Sequence, residues 1–189
     1  MTDFSQLQKS AQTLQEEFDR VTSEFKTKMQ EMFTDMTKSF FEAAPEIKAV
    51  IWSQYTPYFN DGDECIFGIN EMNFLTEYSE DATLPRYVYD LDNEEIDGIS
   101  VFDINASQEN LEYYTDAIKR YGDSSYYQQK IKSIEEALKN PRHDEISKLC
   151  KGLSRVIIDN EDLMKSVFGD HVIVILTPNG SSTEDCEHD

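Results

Sequence analysis

Residues 47–70, IKAVIWSQYTPYFNDGDECIFGIN, decide how the chain folds. The first nine are rich in β-formers and alternate: Val50, Trp52 and Gln54 share one face, while Ile47, Ala49, Ile51 and Ser53 share the other. NDGD follows at 60–63, and a second extended run, ECIFGINEMNF at 64–74, sets Cys65 and Ile66 on opposite faces. Asn and Asp tolerate left-handed backbone and Gly62 supplies positive φ, so the stretch reads as a hairpin closing between 47–55 and 64–70. The loop also carries the candidate binding residues Tyr58, Asn60, Asp61, Asp63 and Glu64. Asp61, Asp63 and Glu64 offer hard oxygens of the kind a cation takes, and a turn can hold an ion as well. The aromatics Trp52, Tyr55, Tyr58, Phe59 and Phe67 read first as the core of a small sheet, whereas exposure of Tyr58 and Phe59 would favour binding.

Before this stretch, residues 4–41 read as one long helix. Phe4, Leu7, Ala11, Leu14, Phe18, Val21 and Phe25 alternate steps of three and four, a heptad seam. A four-residue step to Met29 shifts the phase as a stutter does, and the stripe continues through Met32, Met36 and Phe40. Such a helix needs its stripe covered, by its own domain or by another subunit. The methionines read as adaptable core. Pro45 ends the helix.

After the hairpin, RYVYDL at 86–91 and GISVFDI at 98–104 are further strand candidates, with TEYSEDATLP at 76–85 a loop. From 107 the period becomes helical. Leu111, Tyr114, Ile118 and Tyr121 precede a stop at Gly122; Tyr127, Ile131, Ile134 and Leu138 carry the next helix. Asn140-Pro141 reads as an N-cap with proline at the first helical position, ahead of Ile146, Leu149, Leu153 and Val156. Asn160 opens a short helix that Gly169 stops, and VIVILT at 172–177 is a buried strand. The expected fold class is α+β: a long N-terminal helix, a mostly antiparallel sheet of about 4–5 strands, C-terminal helices and a final strand. The organisation is a helix over 1–44, a single domain over 45–178 and an acidic flexible tail over 179–189.

The 189 residues carry a net charge of −21, unevenly spread. Residues 45–105 hold 14 acids against 2 bases, while 1–44 hold 8 against 5 and 106–168 hold 11 against 10. This balance opposes phosphate backbones and anionic membranes. No window approaches the roughly 18 apolar residues of a membrane span. The three cysteines form no CxxC pair and MTDFSQLQKSAQ has no apolar leader, so a cytoplasmic setting is expected.

Catalytic signatures are missing: no HExxH, GxSxG, P-loop or dinucleotide fingerprint occurs. DLDNEEIDG at 90–98 fails as an EF-hand, because Glu95 and Val101 stand where glycine and the bidentate glutamate belong. Cys150 lies on an apolar helical face and reads as core. Cys186 to Asp189 offer mixed metal ligands, but too few for a site on a free tail.

PEIKAVIWSQYTPYFNDGD at 45–63, FGDHVIVILTPNG at 168–180 and the closing CEHD together resemble a family of uncharacterised phage and bacterial proteins. The resemblance covers about a third of the chain and implies common ancestry and a phage or bacterial cytoplasm; it implies no activity. The apolar VIVILT strand and Cys186 depart from the family's pattern, which has a more polar strand and an aromatic there. Taken together, these features lead to the expectation of a non-catalytic acidic interaction or accessory protein without a cofactor. It would dock on a protein partner or self-associate through 4–41. A DNA mimic inhibiting a host nucleic-acid enzyme, and a metal-dependent enzyme using the acidic loop, are the alternatives.

Overall fold

The computed structural model describes residues 4–58, 62, 64–79, 100–122 and 124–186. Its architecture is the α+β arrangement expected from the sequence. Helix α1 (Phe4–Ala43) is followed by strands β1 (Ala49–Tyr55), β2 (Gly68–Ile69), β3 (Asn73–Glu77) and β4 (Ser100–Val101). Helices α2 (Gln108–Tyr121), α3 (Ser125–Ala137), α4 (His143–Ile158) and α5 (Glu161–Phe168) come next, and strands β5 (Val172–Thr177) and β6 (Gly180–Asp185) close the chain. The sheet order is β4-β3-β1-β5-β6, with β2 also paired to β1, and every pairing is antiparallel.

β1 lies at the centre because both of its faces are apolar. Val50 and Trp52 face the larger core, with Phe74, Val174 and Leu176 from neighbouring strands and Phe33, Phe40, Phe41, Ile146, Cys150, Leu153 and Ile157 from α1 and α4. Ala49 and Ile51 face a smaller cluster with Leu75, Ile173, Ile175 and Cys186. VIVILT pairs along β1 from Val50↔Leu176 to Gln54↔Val172, so its continuous apolar run meets a core on each side.

The last part of α1 belongs to the larger core. Phe33 meets Phe168 edge-on at 5.7 Å, and Phe40 meets Phe74 at 6.0 Å. Arg142 secures the helix end: its guanidinium donates to the Ala43 carbonyl at 2.7 Å and pairs with Glu46 at 2.7 Å and Glu145 at 3.0 Å. A cation on the last carbonyls of a helix also complements its dipole.

Several boundaries differ from the sequence expectation. The hairpin ladder joins Gln54 to Ile69 and Tyr55 to Gly68, so the second strand starts at 68 rather than 64 and its loop spans 56–67. The strand breaks and resumes as β3, extending into Thr76 and Glu77, which were read as loop. β4 is shorter than 98–104, and the candidate strand at 86–91 lies outside the described residues. Asn140 caps a turn, accepting from the Arg142 amide at 2.9 Å, and α4 begins at His143 instead of at Pro141. On α1 Phe33 is buried where the stripe expected Met32, which is exposed, because beyond the stutter the covered face runs Phe33, Thr37, Phe40 and Phe41. The stretch 179–189 was expected to be a flexible tail, yet 180–185 form β6, paired residue for residue with β5. The pairing satisfies β5's outer backbone groups, a demand on the partner's backbone that makes little call on its side chains.

Candidate functional site

Two features stand out: the junction where the 52–58 segment meets 164–171, and the uncovered part of α1.

The junction begins with Gln54, a polar residue fully buried on the apolar face of β1. Burying an amide costs free energy unless its bonds are replaced, and here they are. Gln54 Oε1 accepts from Trp52 Nε1 at 3.0 Å, and its Nε2 donates to the carbonyls of Met164 at 3.2 Å and Gly169 at 2.7 Å. Gly169 ends α5 at φ 97, a conformation that favours glycine, and turns the chain into Asp170. Asp170 accepts from the Thr56 amide and from Thr56 Oγ1, both at 2.7 Å, and pairs with Lys165 at 2.8 Å. Lys165 also donates to Thr56 Oγ1 at 3.0 Å and lies 4.8 Å from the Phe67 ring centroid. Partial burial alone would raise the Asp170 carboxyl; the bonds from Lys165 and Thr56, with His171 nearby, outweigh it and hold the group far below the usual carboxylate range. The Tyr58 ring stacks on His171 at 4.8 Å.

These contacts tie the hairpin loop's first arm to the α5–β5 turn. Carboxylate, ammonium and hydroxyl satisfy one another, which is the arrangement of a structural fastening.

Of the candidate loop residues, Tyr58 is exposed on its outer side and stacked on His171, and Glu64 is exposed. Asn60, Asp61 and Asp63 lie outside the described residues, as does Phe59. Gly62 has φ 99, the positive value expected of the turn. Trp52 is core, 5.7 Å from Phe168 in an edge-on contact. Cys150 is also core, its thiol pushed up to about 12 by burial. Among the described residues no group of three or more His, Cys, Asp and Glu side chains could hold a metal ion. Sequence reading gave no role to Thr56, Lys165 or Asp170. The available signal was Gln54, an amide on an otherwise apolar strand face that must find partners.

The second feature is larger. None of residues 4–32 is buried among the described residues. Phe4 is 71% exposed, Phe18 66% and Phe25 61%, and Leu7, Leu14 and Val21 are exposed beside them. Pairs such as Gln15–Asp19 and Arg20–Glu24 line the helix elsewhere, both at 2.8 Å, and add a few tenths of a kcal/mol each. The heptad seam is therefore a continuous apolar stripe on a helix rooted at one end in the core. Among the described residues no helix is long and apolar enough to cross a membrane.

In comparisons with known proteins, no family model, no curated protein and no solved structure matches the chain.

Proposed function

We propose that this is a non-catalytic interaction or accessory protein of a phage or bacterial cytoplasm. It docks through the first part of α1 and presents an acidic body. The observation that carries this is the uncovered seam from Phe4 to Phe25 on a helix whose far end is built into the core. Helical segments of this kind take most of their stability from packing. Covering each large apolar side chain contributes about 1.5–3 kcal/mol, so a partner helix is the natural complement. The partner is a protein, since a chain of net charge −21 repels nucleic acid and anionic lipid.

Cross-linking in cells tests this, comparing the wild-type chain with the doubly substituted Leu14→Asp, Phe18→Asp chain. Wild type should give adducts, with itself or with another protein, that the seam variant loses while its body stays folded. Equal adducts from both would overturn the proposal.

A further inference from the structure

We infer that the occupant of the seam is a second copy of this chain, laid antiparallel along it; this rests on the docking function proposed above. Three observations converge on it.

The first is charge. Within 4–29, Glu16, Glu17, Asp19 and Glu24 are matched by Lys9, Arg20, Lys26 and Lys28, so this part is neutral in a chain of −21. A basic partner would be drawn to the acidic body instead. A copy of the same helix meets the seam without net repulsion.

The second is the seam's own pattern. Its a positions are Phe4, Ala11, Phe18 and Phe25, and its d positions are Leu7, Leu14 and Val21. A parallel pair sets each position against itself, so Phe18 crowds Phe18 while Ala11 opposite Ala11 leaves a thin layer. An antiparallel pair sets a against d. Phe4 then meets Val21 of the second copy, Leu7 meets Phe18, and Ala11 meets Leu14. Bulk varies less from layer to layer than in the parallel pair. In the same register Glu17 falls beside Ser10 and Gln15 beside Gln8, so no two acids face each other in the central layers.

The third is the position of the bodies. Phe33 and Phe40 fix the C-terminal end of α1 to its body. A parallel pair would bring two strongly acidic bodies together at one end. An antiparallel pair separates them by the length of the seam, on the order of 30 Å at 1.5 Å per residue. That is several times the roughly 8 Å screening length of physiological salt.

The test uses the full chain with Cys65→Ser, since Cys150 and Cys186 are buried. Sedimentation equilibrium should give about twice the 21.9 kDa protomer mass for this chain, and the protomer mass once Leu14→Asp is added. Under mild copper-catalysed oxidation, a mixture of Leu7→Cys and Phe18→Cys chains should form a mixed disulfide dimer, with little from either chain alone. Dimers from each variant alone would mean a parallel pair and overturn the inference. A protomer mass at all concentrations would overturn it too, while cross-links to a different protein in cells would leave the docking function standing.

Discussion

Asp170 shows how a single residue joins distant parts of this chain. Its carboxylate binds the Thr56 amide, the Thr56 hydroxyl and Lys165, and so connects the loop after β1 to the turn before β5. Because its folded-state pKa is depressed, its contribution is complete above the unfolded value of about 3.9 and is lost as pH falls toward the folded value. Asp170→Asn should therefore destabilise by on the order of 2 kcal/mol at pH 7, as expected for hydrogen bonds to a charged group. The difference from wild type should shrink as pH drops below about 4. Thermal melts of both proteins between pH 2 and 7 check this; a difference that does not change with pH would mean the carboxylate's charge is not what matters. Gln54 follows the same logic without charge, its buried amide matched by Trp52 and two carbonyls.

At the scale of elements, α1 divides into two parts with different demands. From Phe33 onward it is core, and before that it is surface. Phe33→Ala should cost about 3–5 kcal/mol, the range for removing a buried aromatic ring. Met32→Ala, one residue away but exposed, should change stability by under about 0.5 kcal/mol. Chemical denaturation of both variants is the check, and a comparable loss from Met32→Ala would mean that the helix packs on a different face. The heptad steps to Phe25 are legible as helix because apolar spacing of three and four has no strand equivalent. The covered face beyond the stutter is not, since Met32 and Phe33 are both apolar and only the sheet and α5 select between them. β6 was equally hidden: GSSTED has no apolar alternation, and it is a strand because β5's outer backbone groups need partners.

At the scale of the whole molecule, charge is the dominant feature. With −21 spread over 189 residues, self-repulsion opposes the compact state. Raising NaCl from about 20 to 500 mM should increase the melting temperature by a few degrees, corresponding to about 1 kcal/mol for a chain of this size. An unchanged or lower midpoint would show that attractive pairs such as Lys165–Asp170 outweigh the repulsion. Composition, periodicity and alternation by themselves determined the long helix, the strand after Pro45, the buried VIVILT strand, the α+β class and the acidic balance, because each is set by residues close together in the chain. Which helical face is covered, where the hairpin ladder begins, that the last strand forms at all and that Thr56, Lys165 and Asp170 meet were decided only by tertiary structure. Those outcomes depend on backbone and polar groups finding partners that local pattern does not name: Thr56 and Asp170 meet across more than a hundred residues, and 180–185 become a strand through the backbone of the neighbouring β5.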